Sequence, residues 1–109
     1  MPTFVKHDES KLIELPGNMT RRILCYNPEM MAVEVGFEAG AVGADHTHPH
    51  TQISYVISGE FTYHIEGDTR VMLPGDSIVV DGGKLHGCAC VKKGVLLDVF
   101  APMREDFIK

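Results

Sequence analysis

The chain has 109 residues and a formal net charge of −5, the length of one domain whose core leaves little room for a separate active site. Its acidic residues are spread along the sequence and no basic patch accompanies them, which argues against nucleic acid as a partner. No uncharged apolar run approaches the ~20 residues that span a bilayer, and Met1-Pro2-Thr3-Phe4-Val5-Lys6-His7-Asp8 has no apolar leader, so a soluble, cytoplasmic protein without membrane contact is expected.

In chain order, short runs rich in β-branched and aromatic residues cover 22–26, 30–37, 52–57, 61–65, 69–73, 77–80 and 95–101. Turn signals separate them, among them Pro16-Gly17-Asn18, Asn27-Pro28, Ser58-Gly59-Glu60, Glu66-Gly67-Asp68, Pro74-Gly75-Asp76, Asp81-Gly82-Gly83 and Lys92-Lys93-Gly94. Met31, Val33, Val35 and Phe37 alternate with Ala32, Glu34 and Gly36, the period of a strand with two unlike faces. No window carries a long apolar period of 3.6, although 103–108 has the pattern of one helical turn. The fold class is therefore all-β, a sandwich or barrel of antiparallel strands, because one open sheet would leave an apolar face wet and its edges unpaired. Three cysteines, with Cys88 and Cys90 one residue apart, fit reduced thiols better than a disulfide framework or a zinc site.

Asp45-His46-Thr47-His48-Pro49-His50-Thr51-Gln52 places three of the six histidines within five residues. On an extended segment His46 and His48 face the same side, close enough to share an ion, and Gln52 has the same parity. His86 completes the set if its strand returns beside the first. His50 is expected at the rim, and His7 and His64 as surface or hydrogen-bonded histidines. Three imidazoles and a neutral amide leave the full charge on a divalent ion, a site for Lewis-acid chemistry rather than a redox cycle. Ni, Fe, Mn, Co and Zn all accept imidazole, so the donors do not select among them.

The run 95–101 holds an anomaly. Leu97 and Val99 face one way and Asp98 and Phe100 the other, which puts a carboxylate in an apolar strand. Pointing inward beside the metal, Asp98 is a candidate general acid or base, and its alternative is the solvent face of an edge strand. Arg104, beyond Pro102, is placed to grip a carboxylate in bidentate fashion, or to pair with Glu105 or Asp106 at the surface.

Gly40, five residues, His46-x-His48, three residues, Gln52, six residues and Gly59 resemble the first sequence motif of the cupin superfamily, with Gln52 where Glu is usual. The second motif is matched by Gly75, Gly83 and His86, with Asp81 in place of Pro and Cys90 in place of Asn. The resemblance implies one cupin domain over 1–109, with metal motifs at 40–59 and 75–90 and an antiparallel jelly-roll β-barrel, the double-stranded β-helix. The stretches 46–53 and 98–107 look like the small cupins called pectin degradation protein KdgF. That likeness implies conversion of 4,5-unsaturated uronate monomers, from pectin or alginate, to linear keto forms. It places the metal on His46, His48, Gln52 and His86, catalysis on Asp98 and Arg104, and substrate contact on Phe100 and Arg104. A small cupin dioxygenase and a non-catalytic sugar-binding cupin are the alternatives. Ile53, Tyr55 and Ile57, with Met31, Val33 and Val35, carry more apolar surface than one small barrel should show, parity leaving open which set is core, and imply a homodimer through one sheet.

Overall fold

The computed structural model describes residues 3–108. Its strands are β1 (Leu12–Leu15), β2 (Met19–Asn27), β3 (Met30–Phe37), β4 (Val42–His46), β5 (Thr51–Ile65), β6 (Asp68–Met72), β7 (Ser77–Val80) and β8 (His86–Ala101). Single 3₁₀ turns at His7–Glu9 and Glu105–Phe107 are the helical content of the described residues, the second lying within the expected 103–108 turn. Among those residues no helix is long and apolar enough to cross a membrane.

Every pairing is antiparallel. The architecture follows from the two long strands, which pair with each other from Thr51↔Ala101 to Ile65↔His86. At one end of this ladder β3 flanks β8 and β7 flanks β5; at the other, β4 flanks β8 and β6 flanks β5. One pair of strands thus runs through both layers of a jelly roll, and the layers pack through Phe37, Val56, Val80 and Leu96 against Phe61, Tyr63, Cys88 and Cys90. The jelly roll matches the sequence reading, with one correction: the hydrogen-bonded path β1-β2-β3-β8-β5-β6 is open rather than a closed barrel.

Two turn signals do not end strands. Ser58-Gly59-Glu60 and Lys92-Lys93-Gly94 face each other where the β5–β8 register shifts, so 52–57 and 61–65 are one strand and 95–101 is the end of a longer one. Gly59 has φ +83°, and a Cβ there would lie 2.5 Å from the Lys92 carbonyl oxygen and 2.6 Å from Gly94 Cα, so glycine is what lets the strands cross this shift. Strands β1 and β4 lie outside the runs read from the sequence; both are short, β1 held by the adjacent β2 in a tight hairpin and β4 by β8, distant in sequence.

Phe37 meets Phe61 edge-on at 5.1 Å between centroids. A second cluster joins Met31, Val33 and Phe100. Met31 and Val33 are therefore core, which settles what parity left open, while Ile53, Tyr55 and Ile57 remain exposed. Ile53 stands beside Val79 on β7 and Val99 on β8, so the exposed apolar residues adjoin one another.

Candidate functional site

His46 ends β4 and His86 begins β8, and the two are register partners. His48 follows in the loop before β5. One nitrogen from each ring lies within 4.8 Å of the others, with His86 and His48 buried and His46 exposed. Each Nδ1 lies against a backbone carbonyl: His46 on Ala44 at 2.9 Å, His48 on His50 at 3.0 Å, His86 on Lys84 at 2.9 Å. With Nδ1–H donating to a carbonyl, each Nε2 keeps a lone pair, as in metal-binding imidazoles whose other nitrogen is held by a hydrogen bond. Burial pushes the His48 and His86 pKa values below the ordinary histidine value, favouring the neutral form a metal needs.

Two observations show that the donors fit a cation. His86 Nε2 is buried with no hydrogen-bond partner among the described residues. Gln52 Oε1 lies 2.9 Å from His48 Nε2, although in this tautomer both atoms are acceptors. Two donors ~2.1 Å from one ion and roughly at right angles stand about 3 Å apart, so a shared cation reconciles the two lone pairs. His46, His48 and His86 can thus hold a metal ion, and the carbonyl of Gln52 faces the same point.

The orientation of Gln52 is set from behind. Its Nε2 donates to Ser54 Oγ at 2.9 Å, and Ser54 Oγ donates to Asp98 Oδ1 at 2.6 Å. The register that pairs Gln52 with Phe100 and Ser54 with Asp98 puts these side chains on one inward face. The Tyr63 hydroxyl closes the group, 3.3 Å from Ser54 Oγ and 3.4 Å from Gln52 Nε2. Asp98 is buried, and burial lifts its pKa to about 6, against the opposing pull of the Ser54 bond. A carboxyl titrating there can both take and return a proton near neutral pH.

His46, His86, Gln52, Tyr63 and Asp98 line a cavity of about 190 Å³ with Phe100, Arg104, Arg21 and Phe107. Three larger hollows, of about 800, 760 and 490 Å³, hold none of the histidines. Both readings of Arg104 meet here. Its side chain is mostly buried and its Nε and Nη2 pair with Asp106 at 3.1 and 2.9 Å, yet it also lines the cavity, 5.0 Å from the Phe100 centroid. His50 is half-buried beside Phe100. His7 bonds Glu34 at 2.7 Å and His64 bonds Asp45, outside the cluster. Cys25, Cys88 and Cys90 are free, and burial pushes the Cys88 thiol up to about 12, an unreactive state.

Sequence reasoning passed over Ser54, Tyr63 and Arg21. A signal existed for two of them: Ser54 shares the parity of Gln52 and Val56, and Arg21 that of Met19 and Ile23, polar side chains on the buried face of their strands.

The cupin domain family model matches residues 33–100. Pectin degradation protein KdgF of Dickeya dadantii (strain 3937) is 38% identical over 103 residues, covering 93% of this chain and 94% of that protein. Among solved structures, an RmlC-like cupin from Shewanella frigidimarina superposes with a TM-score of 0.96 at 38% identity, covering 98% of this chain and 96% of that one. KdgF from Halomonas sp. does so with a TM-score of 0.93 at 36% identity, covering 96% and 99%.

Proposed function

We propose, from the premise that this chain belongs to the cupin family and is similar to KdgF over nearly its whole length, that it is a metal-dependent enzyme converting 4,5-unsaturated uronate monomers to their linear keto forms. The name of the Dickeya dadantii relative ties that protein to pectin degradation. The observation that carries the reading is Asp98, a buried carboxyl with a near-neutral pKa in the same cavity as His46, His86, Gln52 and Arg104.

In this reading His46, His48, Gln52 and His86 hold one divalent transition metal, of which Ni, Fe, Mn, Co and Zn all suit the donors. When bound, it supplies Lewis acidity toward sugar oxygens. The reaction is an isomerisation: the anomeric hydroxyl loses its proton, the ring C–O bond breaks to give an aldehyde and an enol, and C4 gains a proton as the enol becomes a ketone. Asp98 moves that proton, Phe100 walls the pocket and Arg104 grips the substrate carboxylate. One domain spans 1–109. Three free thiols suit a reducing cytoplasm, and the Ile53, Tyr55, Ile57 and Val79 face pairs two copies as a homodimer.

The ultraviolet absorbance of unsaturated uronate monomers tests the reading. It is expected to disappear with the protein, to persist when chelator is present and to disappear again after metal is restored. Absorbance that never falls, or that falls equally with chelator, rejects it.

A further inference from the structure

Arg21 is the cavity-lining charge that the proposed mechanism leaves without a task. On β2 it pairs with Val35 and faces inward, whereas Arg22 faces away and donates to the Ser10 carbonyl at 2.6 Å. An inward guanidinium between Met19 and Ile23 gives up hydration and must recover it. Yet Arg21 makes no hydrogen bond or ion pair with any described residue; its close contact is the Phe107 ring, whose centroid lies 3.7 Å from Cζ.

The same ring receives Arg104 at 4.3 Å, so two guanidiniums converge on one phenyl group at the cavity wall. A single acid, Asp106, is paired there, and it occupies the Nε–Nη2 edge of Arg104. Two guanidiniums thus share one paired acid at this wall, the Asp98 carboxyl in the same cavity being bonded to Ser54, and the donor fork still free is that of Arg21. Burial, then the repulsion of Arg104, pushes the Arg21 pKa below its ordinary value; an anion in the cavity would relieve both effects. Stacking on Phe107 holds the planar group without using its N–H donors, which keeps them available for a ligand.

We infer that Arg21 is a second carboxylate-gripping guanidinium of this pocket, and the residue that makes the site select sugar acids over neutral sugars. The inference rests on the uronate reading for its ligand class. The substrate carboxylate lies across the Arg21 fork with the remaining edge of Arg104 beside it, while Asp106 keeps Arg104 in place.

Calorimetric titration of the protein as purified with D-galacturonate and with its methyl ester provides the test, alongside turnover of unsaturated uronate. The intact chain is expected to prefer the acid. Arg21→Gln, and Arg21→Met, which keeps an apolar stem against Phe107, should each weaken acid binding by about 10- to 100-fold, the range for a charge-assisted hydrogen bond. Ester binding should change little, so the acid-to-ester ratio collapses, which a packing defect would not produce. Arg22→Gln, on the other face of β2, should leave the ratio unchanged. Acid binding that survives both Arg21 substitutions overturns the inference, as does equal affinity of the intact chain for acid and ester or failure to bind either. Arg21-dependent preference for the acid without turnover upholds the inference while refuting the proposed reaction.

Discussion

From Phe61 to Tyr63 and from Cys88 to Cys90, β5 and β8 bury phenyl, phenol and thiol groups against Phe37 and Val56; from Gln52 to Ser54 and from Asp98 to Phe100, the same two strands bury an amide, a hydroxyl and a carboxyl. Exposure is equally low at both ends, so burial alone does not mark the site. The difference is that the polar end must find a partner for every buried atom. A directed chain, Gln52 to Ser54 to Asp98, supplies most of these partners and leaves an amide carbonyl and the histidine nitrogens without a protein donor. One end stabilises the fold, and the other holds chemistry at some expense to it.

The sharpest way to break this contrast is Asp98→Asn. Turnover should fall by about 10²- to 10⁴-fold, the contribution of a positioned acid or base, while metal content stays intact, because an Asn oxygen still accepts from Ser54. The effect on stability should have the opposite sign. In the demetallated chain the Asp98 pKa rises from 3.8 to about 6 on folding, so between these values the native state binds more protons than the unfolded one and stability falls as pH rises. Above the window the buried carboxylate costs on the order of 3 kcal/mol, which Asn does not incur. Urea melts at pH 4 and pH 7 should show the variant gaining on the wild type only at the higher pH; equal gains at both would refute the assignment.

At the apolar end, Phe61→Ala should cost about 3 to 5 kcal/mol of stability with turnover per folded molecule preserved, as denaturant melts and titrated activity would show. Between the two ends in size comes Ser54→Ala, which leaves one Asp98 oxygen without its donor and should cost about 1 to 3 kcal/mol. The Ser54 bond lowers the Asp98 pKa, so its loss raises that pKa further and moves the acid limb of the pH–rate profile to higher pH. A profile that stays in place would show that Ser54 does not govern the carboxyl. Smallest is Tyr55→Lys on the outer face of β5, which should change monomer stability by no more than about 0.5 kcal/mol yet convert the proposed homodimer to monomer in light scattering. A monomeric wild type at micromolar concentration rejects the dimer.

The sequence by itself determined the all-β class, though not β1 or β4, and marked the candidate donors. Alternation at Met31 to Phe37, the His46-x-His48 spacing and an acid at Asp98 in an apolar run are local patterns, and the period of a strand turns each into a statement about facing. The bounds of β3 and β7 agree with it residue for residue. Tertiary structure decided what depends on partners far along the chain. Ser58-Gly59-Glu60 and Lys92-Lys93-Gly94 are turn signals that become facing irregularities within two long strands, because pairing across the register shift overrides local propensity. Which apolar set was core was likewise undecided by parity: Met31 and Val33 lie inside and Ile53 and Tyr55 outside, since alternation is the same whichever face meets the opposite layer. The convergence of Arg21 and Arg104 on Phe107 joins β2 to the tail beyond β8, a contact between segments some eighty positions apart that no local pattern encodes.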